Sequence, residues 1–532
     1  MKRQFLLKEL SRYKMNTYAD IIYRNTLLYP EREAFIYGSE RITFAEYNDR
    51  VNSLIHALWS LGVKKGDGIG VLSWNCLEYV DIYGAAMKGG FILSPLNPRL
   101  QADELDNLIN YSEVNTLFVG PELTEMVNLL RGRISKVKHF ISLEGFVSGM
   151  IPHRELLTAF FKEEPDIQVA ESDPVFIFYT SGTTGVPRGA LYDHRRALSD
   201  NKTFAIAAGL QSEDKQVAIM PLFHIGGSKI FWGYFYVGGS NVILKFFDPE
   251  ITLKTIQEER ATDIHIVPTH LGAFFSLPNY KKYNLSSLKR MLYAASPMPF
   301  ELLKKGLEMW GPIFIQSYGM TESGPVLSYL RREDHQVLDK SPEEQKILLS
   351  CGQACIGVHV RIVNERGEDV EAGVVGEIIA QGNTMLEYWK KPEDTKEVVK
   401  DGWLHTGDMG HYDERGFIYI VDRKKDMIVS GGENIYPREV EEILYQHPAV
   451  KEGAIIGIPD PYWVERVHAV VVLKEGASLT ADRLIDFCKK RIARYKAPKS
   501  VEFAESLPKT PSGKILKREL REKYLTSLEK RV

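Results

Sequence analysis

Residues 179–190 read "YTSGTTGVPRGA", and the apolar run "VFIF" (175–178) leads straight into them. Four apolar residues in a row predict a buried strand. A loop of Gly, Thr and Ser at its end predicts a place where backbone N–H groups and hydroxyls approach an anion. The Walker A pattern, G-x-x-x-x-G-K-[ST], fits from neither Gly182 nor Gly185, and the loop carries no lysine. On its own the stretch reads equally as an ordinary Gly-rich strand-to-helix turn. If it holds phosphate, the mobile cation that phosphate chemistry needs must come from elsewhere in the chain.

The text around the loop has the rhythm of an open α/β sheet. Over 43–119, helical periodicity ("FAEYNDRVNSLIHALWSLG") alternates with short apolar runs ("GIGVLSW", "TLFVG"). Over 216–316 the runs "VAIM", "NVIL", "DIHIVP", "RMLYAA" and "IFIQSYG" predict buried strands separated by helices such as "ITLKTIQEERA". Two polar segments, 161–174 and 331–346, are expected as surface connections. After Gly352 strands and turns take over, with a hairpin around Glu365 to Gly367. A final α+β unit begins near Asp426, with "DRKKD" (422–426) as the candidate linker. No repeat recurs at a fixed period, which sets solenoids aside.

Composition narrows the class. A chain of 532 residues exceeds one hydrophobic core, so two to four units of roughly 100–200 residues are expected. Lys plus Arg number 67 and Asp plus Glu 70, a formal charge of −3 that gives no reason to expect nucleic-acid binding. The four cysteines (Cys76, Cys351, Cys355, Cys488) argue against a disulfide framework and for a reducing compartment. Lys8, Glu9 and Arg12 break up any signal-peptide core, and the longest apolar stretch, "HIGGSKIFWGYFYVGGSNVIL", contains Lys229 and several glycines. The expectation is a cytoplasmic protein with no integral membrane segment.

Seven stretches, in this order, resemble the adenylate-forming superfamily of acyl-CoA synthetases, peptide-synthetase adenylation domains and firefly luciferase. They are "YTSGTTGVPRGA", "PLFHIGG" (221–227), "YAASPM" (293–298), "QSYGMTES" (316–323), "GWLHTGD" (402–408), "DRKKDMIVSGGENIYPREVE" (422–441) and "PKTPSGKILKREL" (508–520). The implied fold class is α/β: a large N-terminal domain of doubly wound sheets plus a β-barrel-like subdomain (1–424), and a small mobile α+β C-terminal domain (425–532) hinged near Lys425. The implied activity is ATP-dependent acid–CoA ligation through an acyl-AMP, with ATP, Mg2+ and coenzyme A as cofactors and a small carboxylic acid as substrate. Alternatives are a long-chain fatty acid–CoA ligase, or a stand-alone adenylation enzyme that loads a carrier-protein thiol. The resemblance is compatible with a homodimer.

The resemblance also implies roles. Thr180, Ser181, Gly182, Thr183, Thr184, Gly185 and Arg188 surround the polyphosphate, Tyr318 lies against adenine, Thr321 meets the α-phosphate and Glu322 holds Mg2+. Asp408 takes the ribose hydroxyls with Arg423 beside it; the lesser alternatives are an N-cap for Asp408 and a surface ion pair for Arg423. Lys514 stands at the adenylation lysine's position, in what composition alone makes a solvated basic tail. His224 gates the acyl pocket and the thiol tunnel, or is a satisfied core histidine. Gly431 and Gly432 line the pantetheine path, and Trp463 lies against the CoA adenine. The acyl pocket takes His224, Ala294, Ala295, Ser296, Ser317 and Gly319.

Departures from the family pattern bear on the substrate. Arg188 replaces a usual Lys, exchanging a point donor for a planar fork. Ala294, Ala295 and Ser296 replace the common Gly-Gly-Ala, Ser317 replaces a common Gly, and Val464 replaces the usual Gly after Trp463. Narrower or more polar space at the pocket points to a medium-chain, alicyclic or aromatic acid. Lys229, five residues after His224, either meets a polar group of the substrate or snorkels to the surface.

Overall fold

The computed structural model describes residues 14–180, 188–424, 426–430, 433–460, 462–510 and 514–529. Two large sheets form the N-terminal part. The nine-stranded sheet runs Gln353–Ala354, Gly324–Leu330, Phe314–Met320, Arg290–Tyr293, Asp263–Ile266, Lys215–Ala218, Ser240–Ile243, Glu33–Tyr37, Glu40–Thr43. Its middle pairings are parallel and its two edges antiparallel. The eight-stranded sheet runs Glu387–Tyr388, Gly189–Asp193, Pro174–Tyr179, Ile92–Leu96, Gly68–Leu72, Val114–Val119, His139–Ser142, Ile151–Pro152. The apolar runs of the sequence fall on these strands.

Helices join the two sheets. Phe44–Ser60 starts at a capping box, with Thr43 and Glu46 each accepting from the other's backbone N–H. With Leu77–Gly89 and Ile225–Val237 it packs a core in which Phe35 of the first sheet stacks on Phe231 and Phe235, and Tyr83 meets Phe176 of the second. Where a barrel-like subdomain is expected, five antiparallel strands form a third sheet around Gly376–Gln381 and Trp403–Tyr412. A fourth sheet, around Val450–Asp460 and Val464–Leu473, carries the helices Pro437–Tyr445 and Ala481–Lys489 and has its own cores. Among the described residues, no helix is long and apolar enough to cross a membrane.

Both polar connections do more than cross the surface. Glu164, in 161–174, pairs with Lys88, which is 5% exposed. In 331–346, His335 is buried between the Tyr293 hydroxyl (3.0 Å) and the Arg331 carbonyl (2.8 Å). Polar composition alone concealed these anchors, because each is satisfied by a partner distant in sequence.

His153, His194, His265 and His335 are all buried, and burial pushes them down to about 4, 3, 3 and 4. The unfolded chain binds these protons near pH 6.5, so their neutral burial costs nothing above that value and stability is lost as pH falls from 6.5 towards 4. The thermal midpoint should therefore decline from pH 6.5 to 5, before ordinary carboxylates titrate. A midpoint constant over that range contradicts the assignment.

Candidate active site

The loop of 179–190 connects two strands and not a strand to a helix. Tyr179 pairs with Gly189 in the antiparallel hairpin Pro174–Tyr179/Gly189–Asp193, and the Thr180 N–H donates to the Arg188 carbonyl at 2.9 Å. Ser181, Gly182, Thr183, Thr184 and Gly185 lie outside the described residues. The strand Gly189–Asp193 follows directly, so no helix N-terminus stands at the loop's exit to offer an anion. Its cationic side chain, Arg188, is engaged by acidic neighbours: Nε lies 2.8 Å from Asp394 and Nη2 3.7 Å from Glu397, both on the helix Pro392–Val398.

A second hairpin stands nearby. Phe314–Met320 turns through Thr321, Glu322 and Ser323 into Gly324–Leu330. Tyr192, on the strand leaving the phosphate loop, clamps the turn, donating to the Thr321 carbonyl (2.7 Å) and accepting from the Gly324 N–H (2.9 Å). Glu322 is 7% exposed; burial pushes its carboxyl up, and the Tyr388 hydroxyl opposes this by donating to Oε1 at 2.6 Å. Both tyrosines lie outside the seven stretches quoted above, so neither drew attention in the sequence; the pairing of Glu387–Tyr388 with Ala190–Leu191 brings Tyr388 here.

The third sheet completes the cluster. Asp408 and Arg423 are register partners on adjacent antiparallel strands. Arg423 Nε lies 2.6 Å from Asp408 Oδ1, and the Tyr318 hydroxyl donates to Asp408 Oδ2 at 2.8 Å. The Asp408 charge, with burial opposing, holds the Arg423 guanidinium above its ordinary range. The structure thus unites Tyr318, Asp408 and Arg423 in one group, and Glu322, Tyr388 and Arg188 in another.

His224 caps the helix Ile225–Val237, its Nδ1 accepting from the Gly226 N–H at 3.2 Å. Burial pushes it down to about 4, so it is neutral near pH 7. With Nδ1 accepting, the ring proton sits on Nε2. The capping role stands between the two sequence expectations. Ser317 is buried and its hydroxyl donates to the Pro325 carbonyl, which leaves less polarity to the pocket than expected. At Gly319 a Cβ would meet the Gly324 carbonyl oxygen at 2.3 Å, so the missing side chain serves the hairpin's close approach. Lys229 does not snorkel: it is 1% exposed and 3.3 Å from Asp200, equally buried, with the Tyr192 ring 4.6 Å away. An apolar helix face hid a charge pair whose partner lies on the preceding helix, His194–Ala208.

The remaining predicted residues belong to the C-terminal unit. Lys514 is exposed, on a small turn where its carbonyl accepts from the Thr510 N–H (2.7 Å) and its N–H donates to Thr510 Oγ1 (3.0 Å). Trp463 is 41% exposed, with Lys499 Nζ 5.9 Å from its ring. Lys425, Gly431 and Gly432 lie outside the described residues. Among the described residues, no cluster of three or more His, Cys, Asp or Glu forms a metal cage.

Ala295 and Val464, both standing where family members commonly have glycine, have φ of +71° and +72°. Left-handed backbone costs a residue with a Cβ roughly 1–2 kcal/mol, partly offset by glycine's greater unfolded-state entropy. Ala295→Gly and Val464→Gly should each stabilise the protein by about 1 kcal/mol. Denaturation midpoints that fall in both variants would refute the strain.

Comparison with known proteins agrees with this geometry. Residues 23–389 match the AMP-binding enzyme family and residues 439–514 the AMP-binding enzyme C-terminal domain. A feruloyl-CoA synthase from Amycolatopsis sp is 37% identical over 504 residues, covering 94% of this chain and 98% of that protein. A long-chain-fatty-acid–CoA ligase from Mycobacterium tuberculosis is 31% identical over 511 residues, covering 94% and 97%. The crystal structure of an anthranilate CoA ligase in complex with anthranoyl-AMP superposes with a TM-score of 0.88 at 26% identity, covering 96% of this chain and 98% of that one.

Proposed function

The chain belongs to the AMP-binding enzyme family and is an acid–CoA ligase that works through an acyl-AMP, and on that premise we propose which residues carry the two steps. In the first step a substrate carboxylate oxygen attacks the α-phosphorus of ATP and pyrophosphate leaves. In the second, the CoA thiolate attacks the acyl carbonyl and AMP leaves. The observation that carries the assignment is the Tyr318–Asp408–Arg423 group beside the Thr321–Glu322 turn.

Asp408 orients the nucleotide through the ribose hydroxyls, with Tyr318 and Arg423 holding the carboxylate in place. Thr321 donates to the α-phosphate, and the loop from Thr180 to Arg188 receives the leaving pyrophosphate. ATP phosphates compete with Asp394 and Glu397 for Arg188, which couples loop occupancy to release of that pair. Glu322 fits a divalent cation: a buried carboxylate pushed up by burial gains from a positive partner, and a single carboxylate plus substrate oxygens is how Mg2+ is ordinarily held in nucleotide sites. Such a cation would neutralise charge on the phosphates. Lys514 meets the carboxylate and the α-phosphate together in the first step, delivered by rotation of the C-terminal unit about Lys425. His224, neutral with its proton on Nε2, stands at the boundary of acid and thiol, while Gly431, Gly432 and Trp463 serve CoA.

The known relatives span aromatic and fatty acids. We assign this chain to the aromatic or medium-chain side. The sequence carries Ala294, Ala295 and Ser296 where smaller residues would leave more room, and the buried Asp200–Lys229 pair puts charge on the helix that His224 caps. Four buried, unpaired thiols support a cytoplasmic setting.

Lys514→Ala should lower the rate of acyl-AMP formation by two or more orders of magnitude while leaving thioester formation from supplied acyl-AMP largely intact; equal loss in both half-reactions contradicts the rotating-unit reading. With a panel of acids in a pyrophosphate-release assay, aromatic and medium-chain acids should lead. A preference for chains of fourteen carbons or more would sink the narrow-pocket assignment.

A further inference from the structure

Tyr388 sits where the phosphate loop's exit strand, the Glu322 turn and the helix Pro392–Val398 meet, and it is 2% exposed. Its backbone is anchored on both sides. The Tyr388 N–H donates to Thr395 Oγ1 at 2.9 Å, the Trp389 N–H donates to the Gly189 carbonyl at 2.7 Å, and the Met385 N–H donates to the Glu322 carbonyl at 2.7 Å. From that fixed point the phenol reaches Glu322 Oε1, and the Arg188 guanidinium lies 5.4 Å from the ring centroid.

The chemistry of this contact runs one way. Burial, and then the neighbouring Glu322, push the Tyr388 phenol well above its ordinary range, so it remains protonated and donates. Burial drives Glu322 towards its neutral form, and a donated hydrogen bond favours the anion. The same bond fixes the carboxylate's rotation by committing Oε1 to the phenol.

We propose that Tyr388 is the positioning residue of the cation site: by holding Oε1 it fixes the rotation of the Glu322 carboxylate and aims its other oxygen at a divalent cation, and its ring joins that carboxylate to Arg188 at the base of the loop. The proposal rests on the reading of Glu322 as the cation's ligand. It gives the segment 385–388 a part in nucleotide binding that its sequence does not announce.

Tyr388→Phe removes the hydroxyl and leaves the ring. ATP binding is measured by calorimetry with and without Mg2+ for the unaltered protein, Tyr388→Phe, Glu322→Gln and the double variant, with thermal midpoints reporting the fold. Mg2+ should tighten ATP binding in the unaltered protein, and Tyr388→Phe should forfeit about tenfold of that tightening while its metal-free ATP affinity is unchanged. The double variant should be no weaker than Glu322→Gln alone. Full Mg2+ tightening in Tyr388→Phe, or a loss equal with and without Mg2+, overturns the proposal. If Glu322→Gln keeps the full tightening, the ligand reading itself fails; if Glu322→Gln loses it and Tyr388→Phe does not, only the tyrosine's role fails.

Discussion

The carboxylate of Asp408 is the point at which the first and third sheets are joined. One oxygen accepts from Tyr318, at the end of a strand of the first sheet; the other pairs with Arg423, its register partner on the third sheet. A buried charge is tolerated only when its partners are close and well directed, and here a planar guanidinium and a phenol meet that requirement from two different sheets. Removing one partner would leave the others uncompensated. The contact therefore fixes how the third sheet docks on the first, and Arg423 carries that constraint to within two residues of the proposed hinge.

The second constraint is topological. The proposed phosphate loop joins the two strands of an antiparallel hairpin, Pro174–Tyr179 and Gly189–Asp193, so no helix starts at its exit, and its one cationic side chain, Arg188, rests against Asp394. Charge for a polyphosphate must then converge from other elements. In the proposed assignment, Glu322 with a cation and the distant Lys514 answer that need from two places in the chain. On the proposed reading a loop so rich in glycine needs no Walker lysine, because it holds a leaving group while the charge that builds in the transition state is met elsewhere.

Much of the fold was legible because its strands are short apolar runs buried on both faces, and such runs differ sharply from the periodic helices between them. The motif residues Tyr318, Thr321, Glu322, Asp408 and Arg423 were legible as a resemblance, and the structure brings them into two adjoining groups. What escaped sequence reading shares a cause. Lys229 and Asp200, His335 and Tyr293, and Tyr388 and Glu322 are polar pairs satisfied across 29, 42 and 66 residues of chain, so neither member looks unusual among its neighbours. Ser317 misled in the opposite direction: its hydroxyl, taken as pocket lining, is consumed by the Pro325 carbonyl eight residues away.

The contacts between the C-terminal unit and the rest suit a joint that must break and reform. Across it, the Arg438 N–H donates to Asp422 Oδ2 at 2.9 Å and its guanidinium to the Ile420 carbonyl at 2.6 Å, while Lys517 lies 3.8 Å from Asp422. A cleft of about 270 Å³, lined by Phe300, Glu301, Lys346, Glu442 and Tyr445, separates the two parts beside these bonds. The unit's own apolar residues, from Ile428 to Ala497, pack among themselves. Water can replace hydrogen bonds and partly exposed ion pairs at small net cost, whereas it cannot replace a shared apolar core. An interface of this kind imposes an orientation without locking it, which suits the proposed delivery of Lys514 followed by a thiol to the same place.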